Sequence, residues 1–105
     1  MSRSTEVAFN KAMHDVYDNA LSECGYRATR FLNLVNQIGG LETARQLLRS
    51  DVHPEGLTAL WELGRLDLSM EALVLQESWR VLFTAAELRL ARRRLQRLGY
   101  VLPGQ

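Results

Sequence analysis

Hydrophobic residues recur along this chain at the three- and four-residue spacing that places side chains on one face of a helix. In the first such segment, at about residues 4–24, the repeated positions are Phe9, Met13, Val16 and Ala20. No stretch alternates polar and apolar residues over the length of a β-strand, so the sequence gives a sheet no support. The pattern therefore predicts an all-α protein.

Glycines divide the rest of the chain, because glycine readily adopts the left-handed conformation in which many helices end. The glycines that follow periodic segments are Gly25, Gly39-Gly40, Gly64 and Gly99. The segments between them predict helices at about residues 27–38 and 41–49, and a fourth that carries residues 57–63. Residues 51–54 are expected to form a loop, since the residue before Pro54 avoids the helical conformation.

The last two helices begin with favourable capping residues. Ser69 is a preferred N-cap, and Thr84 with Glu87 forms a capping box, in which each side chain accepts a hydrogen bond from the other residue's backbone. The final helix then carries a buried seam of Leu88, Ala91, Leu95 and Leu98. Together the segments predict a compact orthogonal bundle of about five to six short helices, forming a single domain over residues 1–105.

Composition is that of a globular protein without disulfides. The 105 residues are 47% hydrophobic and 24% charged, and Cys24 is the only cysteine. Cys24 is therefore expected to be a small buried side chain. The chain starts with an amphipathic segment and contains no long apolar run, which favours a cytoplasmic location and no membrane contact.

Charge is distributed unevenly, although the formal net charge is only +1. Residues 1–49 hold six basic and five acidic side chains, and residues 50–79 hold one basic and six acidic. Residues 80–105 hold six basic side chains and one acidic. The basic end of the chain is therefore the first candidate for contact with an acidic partner.

The final helix carries a basic stripe. Arg89, Arg93 and Arg97 recur at every fourth position and so share a face, with Arg92 beside them. The stripe is open to three interpretations: it contacts nucleic-acid phosphates, an acidic protein surface, or the chain's own acidic segment. Trp79 is a candidate anchor of the same interface if it is exposed, because tryptophan and arginine supply much of the binding energy at protein interfaces.

Residues suited to catalysis or metal binding are scattered. His14 and His53 are far apart in the sequence, and neither belongs to a metal-ligand motif. Cys24 follows His14 by ten residues on one predicted helix, which is about 15 Å along the axis and too far for a nucleophile and its base. We therefore predict no catalytic site, no metal site and no cofactor, and hence no enzyme.

A pair of opposite charges lies between the predicted fourth and fifth helices. In the segment Arg65-Leu66-Asp67-Leu68-Ser69, the two charged residues flank a leucine that has a buried character. We interpret Arg65 and Asp67 as an ion pair that fixes the direction of the chain. A polar contact between these two residues and a partner is the alternative.

A set of residues after the first helix carries a resemblance to other sequences. These residues are Gly25-Tyr26, Phe31-Leu32, Gly39-Gly40, Ala44, Leu47-Leu48, Gly56-Leu57, Leu60, Arg65-Leu66-Asp67-Leu68-Ser69, Glu71, Leu73-Val74-Leu75, Leu82-Phe83-Thr84, Glu87, Ala91-Arg92 and Arg94-Leu95. The pattern resembles a small uncharacterised bacterial helical domain that occurs alone or fused to restriction-type and HNH nucleases, whose nuclease motif is absent here. The resemblance implies an accessory or regulatory module connected with mobile elements or phage defence, and it carries over no functional residues.

The sequence thus predicts a non-enzymatic interaction module with a protein as the expected partner. The first alternative is a nucleic-acid-binding accessory domain that uses the same arginines, and the second is a phage-encoded inhibitor of a host defence complex. A homodimer is a further option, in which basic and acidic faces meet across a two-fold axis.

Overall fold

The computed structural model of the protein describes residues 3–50 and 55–101, and these ranges contain six α-helices and no β-strand. The helices are α1 (Arg3–Cys24), α2 (Thr29–Ile38), α3 (Gly40–Arg49), α4 (Glu55–Glu62), α5 (Met70–Val74) and α6 (Ala85–Arg97). Two 3-10 turns, Leu66–Leu68 and Arg80–Leu82, precede α5 and α6. The prediction of an all-α helical bundle is confirmed, and the predicted loop 51–54 lies outside the described residues.

The ends of the helices follow the local signals in the sequence. Gly25, Gly39, Gly64 and Gly99 have the positive φ angles of the left-handed region. The Ser69 hydroxyl accepts a hydrogen bond from the Ala72 N–H at 3.1 Å. At the start of α6, the Thr84 hydroxyl accepts from the Glu87 N–H, and the Glu87 carboxylate accepts from the Thr84 N–H. The predicted capping box is therefore present.

One continuous core receives side chains from all six helices. Its buried members are Phe9, Met13, Val35, Ala44, Leu48, Leu57, Leu66, Met70, Val74, Leu75, Leu82, Phe83, Ala91 and Leu95. The closest approach of α1 and α3 is at Gly40, where a β-carbon would lie 2.9 Å from the Asn10 Cα. The Asn10 side chain accepts a hydrogen bond from the Gly40 N–H there at 2.7 Å. A glycine at this position therefore lets the two helices pack in direct backbone contact.

Two side chains lie differently from their expected positions. Trp79 is half-buried, and its ring meets the ring of Phe9 edge-on with centroids 5.4 Å apart, so it contributes to the core rather than to an exposed anchor. Trp61, at the end of α4, is the exposed tryptophan, with 49% of its surface accessible. Cys24 is half-buried instead of buried, at the last position of α1, where the helix ends in the left-handed Gly25.

Candidate interaction surface

The inner side of α6 is held by a buried arginine. Arg94 donates hydrogen bonds to the Glu71 carboxylate at 3.2 Å, to the Leu48 carbonyl at 3.1 Å and to the Ser50 carbonyl at 2.8 Å. Only 14% of its side chain is accessible. The contacts join α6 to α5 and to the C-terminal end of α3, whose last carbonyls have no acceptor role within the helix. Arg94 is therefore a structural residue.

Glu71 is the acidic partner in this contact, and burial dominates its chemistry. Its carboxyl group is 4% accessible. Burial raises the pKa of Glu71 above the ordinary glutamate value, and the Arg94 guanidinium opposes that shift by favouring the charged form. One carboxyl group of the acidic segment thus faces inward, where no external partner reaches it.

Glu87 holds the N-terminal end of α6 in a similar way. Besides its role in the capping box, its carboxylate accepts a hydrogen bond from Arg49 at 2.9 Å and lies 3.9 Å from the Arg45 Nε. Arg45 also donates to the Leu82 carbonyl at 2.9 Å. Two arginines of α3 are therefore engaged at the inner side of α6.

Arg65 and Asp67 form a two-point ion pair. The Arg65 Nε and Nη2 atoms each lie 3.1 Å from a different Asp67 oxygen, and Nη2 also donates to Glu23 at 2.9 Å. The hydrogen bonds from Arg65 lower the pKa of Asp67, and the two carboxylates raise the pKa of Arg65. These contacts connect the end of α1 to the 3-10 turn Leu66–Leu68. They correspond to the first of the two interpretations, an internal ion pair, rather than to a contact with a partner.

The outer side of α6 carries arginines of a different kind. Arg89, Arg93 and Arg97 are exposed, and none of their side chains makes a hydrogen bond or ion pair with another described residue. Successive members are about 6 Å apart along the helix axis. Arg92 is half-buried at the edge of this stripe, and its buried Nε has no hydrogen-bond partner in the described part of the protein. We call these four residues the arginine surface.

The arginine surface has no opposing charge on its own helix. Glu87 is the only acidic residue of α6, and its side chain is 4% accessible on the inner side. Ala85 and Ala86 are exposed in the first turn, and Leu90 is half-buried next to the stripe. The accessible side of α6 therefore presents cations together with small and apolar side chains, and no carboxylate.

The two histidines that the sequence offers for chemistry lie on different parts of the chain. His14 is half-buried on α1, and His53 lies outside the described residues. Among the described residues, no three His, Cys, Asp or Glu side chains are grouped closely enough to hold a metal ion. In the same ranges, no helix combines the length and the apolar character needed to cross a membrane.

Comparison with protein-family models, with curated proteins and with solved structures finds no match to this chain. The resemblance to a bacterial helical domain therefore stays a prediction. We therefore base the functional inference on the arginine surface.

Sequence reasoning missed the residues that hold the inner side of α6. Glu71 and Arg94 are 23 residues apart, and Arg49 and Glu87 are 38 apart, so local patterns do not pair them. A signal was nevertheless present for Arg94. It follows Ala91 by three residues and precedes Leu98 by four, which is the spacing of the apolar seam.

Proposed function

We propose that the protein is a non-enzymatic interaction module that binds an acidic surface of a protein partner through the arginine surface of α6. One contrast supports this proposal above all others. Arg45, Arg49, Arg65 and Arg94 are each engaged by carboxylates or carbonyls of the chain, whereas Arg89, Arg93 and Arg97 have no such acceptor among the described residues. Cations on one face without internal partners are suited to acceptors on another molecule.

A protein is the favoured partner because the surface is mixed in character. Ala85, Ala86 and Leu90 lie beside the arginines and offer small and apolar contacts, which a phosphate backbone does not need. The formal net charge is only +1, whereas nucleic-acid-binding domains usually have a clearly basic balance. An acidic helix or strand edge with interspersed apolar residues matches these features. The resemblance noted in the sequence adds a role in phage defence, or in its inhibition by a phage, to this proposal.

The direct test is capture of a partner from the organism that produces the protein. Wild-type protein is compared with Arg93→Glu and with Arg3→Glu, a matched charge reversal at an exposed residue of α1. We expect wild type and Arg3→Glu to recover the same stoichiometric partner and Arg93→Glu to lose it. Unchanged capture by Arg93→Glu would contradict a role for this surface.

A nucleic-acid partner is the second candidate, and the regular stripe of three arginines is the observation that favours it. If three phosphates were neutralised, the logarithm of the binding constant for duplex DNA would fall with the logarithm of salt concentration at a slope of about −2.7. The triple variant Arg89→Gln, Arg93→Gln, Arg97→Gln would flatten that slope. Absence of DNA binding at low salt would exclude this candidate and leave the protein partner.

A second copy of the chain is one form that the protein partner could take. Exposed carboxylates lie on other elements, at Glu6, Glu62 and Glu77, and could receive the arginines across a two-fold axis. Sedimentation equilibrium distinguishes this case. A wild-type dimer that becomes a monomer in Arg93→Glu would identify the partner as a second copy, and a wild-type monomer would exclude it.

A further inference from the structure

A cavity of about 470 Å³ lies beneath α4, away from α6. Side chains from α1 to α5 line it, and the apolar part of the lining includes Val16, Phe31, Leu34, Leu57, Leu60 and Met70. The most extensive contacts of α4 are with the 3-10 turn Leu66–Leu68. The volume falls within the range of roughly 300–1,000 Å³ that is typical of sites for small organic molecules.

The cavity differs in chemistry between its floor and its rim. Leu57, Leu60 and Met70 are buried and form an apolar floor. Arg27 also lines the cavity but is exposed, so it lies at the rim. Among the described residues, the rim therefore offers a cation where the floor is apolar.

The start of α2 adds to the positive potential at the rim. Ala28 is the N-cap residue of this ten-residue helix, and no side chain caps its first-turn N–H groups. The N-terminal end of a helix carries a partial positive charge and donor groups that favour an anion. The Arg27 side chain makes no hydrogen bond or ion pair with any described residue. Both features therefore select a negatively charged group at this end of the cavity.

The buried part of the cavity is unfavourable for the carboxylate of a ligand. Glu71 contributes to the buried part of the lining and already accepts a hydrogen bond from Arg94. A carboxylate placed beside it would lose its hydration without gaining a free cation. The charged end of an occupant is thereby directed to the rim and its apolar body to the floor.

We propose that this cavity binds a small amphipathic anion, with a carboxylate at Arg27 and the start of α2 and an alkyl chain against Leu57, Leu60 and Met70. This site is separate from the arginine surface, and it gives the module a small-molecule ligand in addition to its macromolecular partner. The cation at the rim matches the carboxylate of such a ligand, and the apolar floor matches its alkyl chain.

Octanoate is the probe for the test, with 1-octanol and acetate as the matched compounds that lack its charge or its chain. Isothermal titration of the full-length protein should give one saturable site for octanoate and at least about tenfold weaker binding of the other two compounds. The absence of a saturable octanoate site would overturn the proposal. Equal affinity for 1-octanol would overturn the assignment of the rim as the anion site.

Variants locate the site without threatening the fold. Arg27→Gln changes an exposed side chain and should weaken octanoate binding by about tenfold, whereas Arg89→Gln, the same substitution on α6, should leave it unchanged. Amide and methyl NMR shifts on addition of octanoate should fall on Leu34, Leu57 and Leu60. Equal affinity of wild type and Arg27→Gln, or shifts confined to α6, would contradict the proposal.

Discussion

The two sides of α6 use the same residue type for opposite purposes. Arg94, on the inner side, is 14% accessible and donates to a carboxylate and two carbonyls. Its neighbour Arg93, on the outer side, is exposed and has no acceptor among the described residues. The difference shows that an arginine-rich segment says little about function until each guanidinium is assigned its acceptors.

Geometry explains why Arg94 is suited to the inner position. A guanidinium has five donors in a fixed plane, so one side chain reaches Glu71 and the carbonyls of Leu48 and Ser50 at once. Lysine, with a single ammonium group, would not span these acceptors in the same arrangement. The side chains of the outer arginines have no comparable set of acceptors among the described residues.

The largest effect is expected from removing the inner arginine. Arg94→Ala leaves the Glu71 carboxyl group and two carbonyls buried without their donor, and we expect a loss of about 3–5 kcal/mol in the free energy of unfolding. Urea denaturation measures this loss of stability. Arg93→Ala is the matched control on the adjacent residue, with an expected change below about 0.5 kcal/mol. Equal effects of the two substitutions would break the distinction between the two sides.

The second largest effect is expected at Glu87, where the inner side begins. Glu87→Ala removes half of the capping box and the carboxylate that Arg49 contacts, and we expect a loss of about 2–3 kcal/mol. Glu87→Gln keeps an acceptor for the Thr84 N–H and should lose less. Thermal unfolding compares the two variants. A glutamine variant less stable than the alanine variant would contradict the role of Glu87 as an acceptor for the Thr84 N–H.

A smaller effect is expected at the Arg65 ion pair, and it depends on pH. The lowered pKa of Asp67 means that the pair stabilises the fold above the ordinary aspartate value of about 3.9, and that this stabilisation is lost as pH falls through the lowered pKa. Arg65→Gln should therefore be less stable than wild type at pH 7 and equally stable at low pH. A carboxyl NMR titration of Asp67 should show its pKa rising in the variant; an unchanged value would contradict the pairing.

The smallest effect on stability is expected from the outer stripe. The triple variant Arg89→Gln, Arg93→Gln, Arg97→Gln changes only exposed side chains without partners in the described chain, so its unfolding free energy should stay within about 0.5 kcal/mol of wild type. Capture of the partner should nevertheless be lost. Urea denaturation alongside capture separates the two readouts, and a strong loss of stability would show that these arginines have a structural role.

Local features were predictable from the sequence because they depend on neighbours in the chain. The caps at Ser69 and Thr84 and the glycine ends need only a few adjacent residues, and the structure contains them as predicted. The length of α5 was harder to anticipate. Its five residues end at Val74, and the chain then continues through turns to Trp79, whose ring packs on Phe9.

Long-range contacts could not be predicted in the same way. The acidic segment and the basic C-terminal segment are each recognisable in the sequence, but only the folded chain brings Glu71 to Arg94 and leaves the stripe without acceptors among the described residues. The cavity beneath α4 depends on the placement of five helices, and no local pattern encodes it. What the sequence leaves open is therefore which charges find partners inside the molecule.

The division between structural and available arginines is tested most directly by modifying the folded protein with phenylglyoxal, which reacts with accessible guanidinium groups. Mass spectrometry of peptides then gives the rate at each residue. We expect fast modification of Arg89, Arg93 and Arg97, and slow modification of Arg94 until the protein unfolds. Modification of Arg94 in the folded protein as fast as that of Arg93 would contradict the division between the two sides of α6.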